Sequence, residues 1–208
     1  MERYNCKYKA KYTVQLTAIK SLKQCYLGDS YKASVTIDTL HARNLFESQE
    51  LLNIKLVRVM IHFLSGELIE AKDILTKFYH NDRWYEQKAG LAWLLQKKHI
   101  EILLHIELGN SDYVASRIVS LQRKYNNLLD TKKDAHIITF LKLIKRYAKD
   151  PAIVTTKAFK SRVEKSFDWK SAEEEDIILM SLYAWLSAKM EERRVYDVVL
   201  ELVSATRG

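Results

Sequence analysis

Cysteine is nearly absent from this chain, with two in 208 residues. That excludes a disulfide scaffold and a multi-cysteine zinc site, and it fits a reducing compartment. Five glycines and one proline are equally few. A protein built of many short strands would need turn residues roughly every 8–12 positions, so that class is excluded too. The sequence has no run of about 18 uncharged apolar residues that could cross a bilayer, and its N-terminal stretch MERYNCKYKAKYTVQL has no continuous apolar segment of the secretory kind. Together these absences lead to the expectation of a cytoplasmic protein. What the chain has in quantity is apolar side chains, 48% of residues, interspersed with 29% charged ones. That is enough to bury a sizeable core, as one domain or two small ones, and too apolar for a disordered chain.

The apolar residues recur with helical spacing almost everywhere. Val14, Ala18, Leu22 and Cys25 form one stripe; Leu52, Leu56, Val59 and Phe63 form another; Ile137, Leu141, Ile144 and Ala148 form a third. No convincing alternating strand exceeds four residues. Breaks fall at Gly28-Asp29, Ser65-Gly66, Asn81-Asp82, Gly109-Asn110 and Asp150-Pro151, where Gly suits a helix end and Asp, Asn or Ser suits the next start. Ser171 and Glu174 have capping-box spacing, and the acidic run 173–176 suits a first helical turn. The pattern predicts an all-α chain of about ten helices, at 8–27, 29–43, 48–65, 67–79, 83–108, 111–127, 132–148, 156–167, 171–190 and 192–204. The fifth is long enough to kink near Gln96–Lys98. Short connections make successive helices antiparallel neighbours.

Three junctions read alike: Tyr26-Leu27-Gly28-Asp29-Ser30-Tyr31-Lys32-Ala33, Leu64-Ser65-Gly66-Glu67-Leu68-Ile69-Glu70-Ala71, and Glu107-Leu108-Gly109-Asn110-Ser111-Asp112-Tyr113-Val114-Ala115. Each has an apolar helix end, a Gly turn and an Ala one turn into the next helix. Ile37 and Leu40 follow the first Ala at four and seven residues, as Leu75 and Phe78 follow the second. Over residues 12–127 this pattern resembles the tetratricopeptide (TPR) repeat, whose helix pairs join through a Gly-x-x-x-x-Ala junction. The Gly-to-Gly spacings are 38 and 43, against about 34 in the family, and the third Gly-to-Ala step is six rather than five. The small residue expected midway along the first helix of each pair is present as Ser21 but replaced by Val59 and Ile102, and the closing Pro is missing. The resemblance implies a right-handed α-solenoid of antiparallel helix pairs, with TPR-like repeats over 1–130 and further helices packed on the same solenoid over 131–208. Phe167-Asp168-Trp169 and the run from Glu175 to Leu186 are similar to the C-terminal part of uncharacterised bacterial TPR-like proteins.

Catalytic and metal-binding patterns are missing. No two histidines stand three or four apart on one helix, no His-Glu-x-x-His occurs, and no phosphate loop, nucleophile elbow or dinucleotide fingerprint is present. His62 and His105 fall at helix ends just before Gly turns and read as boundary residues. Cys25 lies on an apolar stripe, where a thiol acts as a small hydrophobe. The expectation is a protein with no enzymatic activity, no cofactor and no metal.

The net charge of +8 is regional. Residues 1–23 carry +5, residues 24–130 balance, residues 131–165 carry +7, and residues 166–208 carry −4. On the helix at 132–148, Lys142, Lys145, Arg146 and Lys149 fall within about 100° of arc opposite the apolar stripe, and Lys157, Lys160 and Lys165 follow. This stripe is open to three readings: a solvated face, a partner for the acidic run 173–176, or a track for phosphates. Tyr8, Tyr12, Tyr26 and Tyr31 likewise suit either base stacking or contact with a neighbouring repeat at a solenoid end.

The TPR resemblance maps the inner surface onto Gln15, Ala18, Leu22 and Cys25, then Asn53, Leu56, Met60 and Phe63, then Gln96, His99, Leu103 and Ile106. In the family Asn at such a position holds a peptide backbone. The sequence-based expectation is therefore a scaffold for protein–protein contacts, with Asn53, Leu56, Met60 and Phe63 as partner-binding residues unless the chain's own C-terminal helices fill the groove. The alternative is a nucleic-acid binder using Lys142, Lys145, Arg146 and Lys149.

Overall fold

A computed structural model describes residues 2–42, 48–125, 135–166 and 177–205, and among these there are helices and turns but no strand. Eleven α-helices follow in order: α1 (Glu2–Tyr26), α2 (Ser30–Ala42), α3 (Ser48–Leu64), α4 (Leu68–Thr76), α5 (Asp82–Ala89), α6 (Leu91–Glu107), α7 (Ser111–Tyr125), α8 (Ala135–Lys149), α9 (Lys157–Ser166), α10 (Ile177–Glu191) and α11 (Val195–Ala205). A 3-10 turn, Pro151–Thr155, joins α8 to α9.

Helix α1 starts at Glu2 rather than at 8 and α4 ends at Thr76 rather than at 79, and two further departures from the periodicity have a local cause. The helix expected over 83–108 is two helices, and the break is at Gly90 rather than at Gln96–Lys98. Gly90 has φ +90° and ψ 163°, outside any helical basin, while its N–H donates to Glu86 O and closes α5. The 3-10 turn follows from Asp150-Pro151: Pro cannot continue α8, and Asp150 accepts from Ala152 N at 3.1 Å. The Ser171/Glu174 capping box, the acidic run 173–176 and Phe167–Trp169 lie outside the described residues.

The three look-alike junctions share one hydrogen-bond pattern. The residue after each Gly donates back five residues, from Asp29 to Gln24 O, Glu67 to His62 O and Asn110 to His105 O. Each Gly donates back three, and each has positive φ (94°, 80° and 73°). This is the Schellman closure, which needs a left-handed residue. The next helix then turns its fifth residue after the Gly inward: Ala33, Ala71 and Val114 are all fully buried. Val114, at five, takes the inward place that Ala115, at six, was expected to take, and Ala115 is exposed. The spacing of the third junction is thus regular, with a larger residue in the slot.

The chain divides into two compact units, Met1–Leu104 and His105–Gly208. In the first, α1 packs on α2 and α3, α2 on α3, and α3 on α4 and α5. Ser21, fully buried, donates to Ala33 O, so α1 and α2 approach closely where both side chains are small. Thr36 Oγ1 donates to Gln24 Oε1 at 2.9 Å on the same seam. In the second unit α7 packs on α8, α8 and α9 pack on the 3-10 turn, and α10 packs on α11. Its core is led by Tyr125, Phe140, Phe159 and Trp185.

Two substitutions separate turn conformation from helix approach. A Cβ at position 66 would meet nothing within 4 Å, so Gly66→Ala is expected to cost only the left-handed strain, about 1 kcal/mol. Ala71→Leu must push two helices apart and is expected to cost about 1–3 kcal/mol. Urea unfolding of the two variants against wild type measures both.

Candidate functional site

The residues expected to line a partner groove are inside the first unit. Leu56, Met60 and Phe63 are 2%, 2% and 4% exposed, and Asn53 is half-buried. They sit on α3, which packs against α1, α2, α4 and α5 of its own unit. The other mapped positions follow suit: Ala18, Leu22, Cys25, His99 and Leu103 are buried, Gln96 and Ile106 half-buried, and the side chain of Gln15 lies outside the described residues. His99 donates from Nδ1 to Leu95 O at 2.6 Å, a core histidine bonded within its own helix. The signal was in the sequence. From Leu52 to Leu64 the buried residues include Ile54, Leu56, Val59, Met60, Ile61 and Phe63, and they leave a narrow polar face of Lys55, Arg58 and His62, wider apolar coverage than a helix with one side in solvent needs.

A different face of the first unit is open. Tyr12, Leu16 and Ile19 on α1 are 61%, 67% and 56% exposed. They recur at i, i+4 and i+7, within about 60° of arc. Ser21, which touches α2, is about 180° round the helix from Tyr12, so the open stripe is turned away from that seam. Exposed Lys20 and Lys23 border it, and across α1 six Lys/Arg stand against one acid, Glu2. The helix is therefore apolar on two sides, one buried and one in solvent. The side chains of Cys6 and Tyr8 lie outside the described residues.

The second unit carries the basic face. Lys142, Lys145, Arg146 and Lys149 are all exposed, while Phe140, Leu141, Leu143 and Ile144 on the opposite side of α8 are buried. Ile137's side chain and the acidic run 173–176, expected to pair with this stripe, lie outside the described residues.

A cluster that sequence patterning missed joins α6, α8 and α10. Glu107, at the end of α6, accepts from Trp185 Nε1 at 2.5 Å and from Lys189 Nζ at 2.8–2.9 Å. Tyr147 of α8 meets the Trp185 ring edge-on at 5.3 Å, and Lys189 lies 5.7 Å from the same ring. Burial raises the Tyr147 phenol above its usual range, which keeps it neutral. No short motif marks these four residues, because they are separated by up to 82 positions.

A second buried charge lies in the first unit. Lys97 is 6% exposed, with Nζ 3.3 Å from Glu101 Oε2 and under the rings of Phe78 (5.3 Å) and Tyr85 (5.7 Å). Trp93 completes the aromatic wall, 5.9 Å from Phe78 and 5.6 Å from Tyr85. Lys98 bridges Asp82 at 2.8 Å and Glu101 at 3.9 Å. Burial lowers the Lys97 pKa, and Glu101 opposes that shift. A lysine with a lowered pKa can serve as a nucleophile, but this one is roofed by aromatic rings and ties α6 to the segment around α5.

An open depression of about 470 Å³ follows the α6–α7 turn from His105 to Tyr113. Asn110 Nδ2 lies 2.9 Å from His105 Nδ1 and the His105 and Tyr113 rings are 4.0 Å apart. Its lining comes from one local turn, not from elements converging on a substrate. Among the described residues no three His, Cys, Asp or Glu side chains are grouped to hold a metal ion, and no helix is long and apolar enough to cross a membrane. Comparison of the chain with known protein families, curated proteins and solved structures finds no match.

The two charge clusters give opposite expectations. Lys97 has a folded pKa below its unfolded one, so its burial cost is full at pH values below the folded pKa. The cost shrinks as pH rises towards the ordinary lysine value. Lys97→Met should therefore be neutral or stabilising at pH 7, by about 0–2 kcal/mol, since Glu101 keeps Lys98. The advantage should narrow at pH 9.5, read by urea unfolding at both pH values. Glu107→Ala should instead cost about 1–3 kcal/mol, because it leaves the Trp185 N–H buried without its acceptor.

Proposed function

We propose that the chain is a non-enzymatic helical-repeat scaffold, a right-handed α-solenoid of TPR-like helix pairs, that holds a protein partner on the open side of α1. The observation that carries this reading is the stripe of Tyr12, Leu16 and Ile19, each more than half exposed. Covering three such side chains contributes on the order of 5 kcal/mol before the cost of association. That is enough for a modest helix-in-groove contact and too little for an obligate one. The partner chemistry follows from charge. An amphipathic helix with apolar residues at i, i+3 or i+4 and i+7 covers the stripe. Asp or Glu on its flanks meets Lys20 and Lys23. A second copy of the chain would bring one cationic α1 against another. The buried thiol of Cys25 suits a reducing interior such as the cytoplasm.

A helical peptide library selected on the wild-type protein, with counter-selection on Leu16→Asp, tests this. The expected outcome is a consensus with apolar residues at helical spacing and acidic flanks, binding at least tenfold more weakly to Leu16→Asp and Ile19→Asp. Both positions are exposed, so the variants should keep the wild-type helical circular dichroism. Selected peptides that bind wild type and Leu16→Asp equally would overturn the reading. So would sedimentation equilibrium showing a dimer that Leu16→Asp dissolves, since the stripe would then belong to a second copy.

A further inference from the structure

Several cations elsewhere in the chain have carboxylate partners. Arg58 pairs with Asp38, Lys77 with Asp73, Lys98 with Asp82, Lys189 with Glu107, and Arg194 with Asp197. From residue 139 to 166 cations are concentrated. Eight Lys or Arg stand there against Asp150 and Glu164, and none of the eight has an ion-pair partner among the described residues. Asp150 is committed to capping the 3-10 turn. The one polar contact among the α8 cations is from Lys145 Nζ to the neutral Gln122 Oε1 at 3.2 Å. Three further cations on α9, Lys157, Arg162 and Lys165, are exposed and Lys160 is half-exposed. The segments are held together, since α8 and α9 both pack on the intervening 3-10 turn.

Cations that have no carboxylate among the described residues repel one another and lower stability, and an anionic partner would offset that cost. Spacing and surroundings narrow the kind. Lys142 to Lys149 spans about 10 Å of helix axis. A nucleic-acid duplex carries one charge per roughly 1.7 Å of its axis, so the cation density on α8 is of the same order. Single-strand binders add exposed aromatic rings on which bases stack. Here the three aromatics of this stretch face inward: Phe140 and Phe159 are buried, and Tyr147 is packed on Trp185. The exposed Tyr12, Tyr31 and Tyr79 belong to the other unit. Nor do exposed apolar residues alternate with these cations, as insertion into a bilayer surface would require.

We propose that the face formed by α8, the 3-10 turn and α9 binds the phosphate backbone of a nucleic-acid duplex without reading its sequence. The cations act as phosphate contacts, with affinity supplied by counterion release. The surface is separate from the α1 stripe, and either can fail without the other.

The test is fluorescence anisotropy of the full chain with labelled 20-base-pair DNA and RNA duplexes, the matching single strands, and competing vesicles of anionic lipid. Duplex binding should weaken with salt at a log–log slope of about −3 to −4, as expected for roughly four phosphate contacts. It should be insensitive to sequence and fall at least tenfold in Lys142→Glu/Lys145→Glu/Arg146→Glu. The control Lys72→Glu/Arg83→Glu/Lys88→Glu, an equal charge change at exposed sites of the other unit, should leave it within about twofold. The DNA and RNA arms identify which duplex is held. Equal losses in the two triple variants, tighter binding of single strands than of duplexes, binding to vesicles alone, or no binding at low salt would each overturn the proposal. The α1 reading is untouched by all of these outcomes, because Leu16→Asp should not alter duplex binding.

Discussion

The packing of the first unit depends on how closely a helix can begin beside the one that has just ended. After Gly28 and again after Gly66, the chain reverses through one left-handed residue and turns an alanine inward five positions later. Alanine has no side chain to hold the helices apart, and at the first junction Ser21 hydrogen-bonds to the backbone of that same Ala33. Ile37 and Leu40 then follow into the core. The third junction keeps the turn and the five-residue step but places Val114 in the slot. The turn is thus the more strictly repeated element, and the residue it presents varies with the space available. This explains how spacings of 38 and 43 residues accommodate the same local geometry: the extra length goes into helices and connections, not into the turn.

Charge is handled in two ways. Where cations are buried or near the core they are matched, as with Lys97 on Glu101 under its aromatic wall, or Lys189 on Glu107 beside Trp185. Where they are exposed on α8 and α9, the described residues offer them no carboxylate. Exposure alone does not decide this, since Lys77 and Arg194 are exposed and still pair with Asp73 and Asp197.

The helical class and most helix positions were legible because they rest on periodicity, which a sequence displays directly. The break at Gly90 was less so, since one glycine within a long apolar pattern carries little weight until its backbone is seen outside the helical region. The burial of Leu56, Met60 and Phe63 has a related reason. The family pattern maps them to a groove, while the apolar residues of Leu52–Leu64 cover most of the helix and leave Lys55, Arg58 and His62 as a narrow polar face, as suits a helix packed on several neighbours. The basic face was visible as spacing, whereas sequence spacing does not show that none of its cations meets a carboxylate among the described residues. The Glu107 cluster joins residues on three helices, and no one-dimensional pattern encodes such a meeting.

The placing of tryptophan has a practical consequence. Trp84 and Trp93 stand in the first unit, by the stacked His80 ring and the aromatic wall respectively. Trp185 is fully buried in the second, with its N–H on a carboxylate and an ammonium near its ring. An indole held between opposite charges has an emission colour set by the local electric field, which collapses when the cluster opens. Each half of the molecule thus contains its own optical label. With Trp→Phe changes to isolate one at a time, the order in which the two halves melt can be read by light alone.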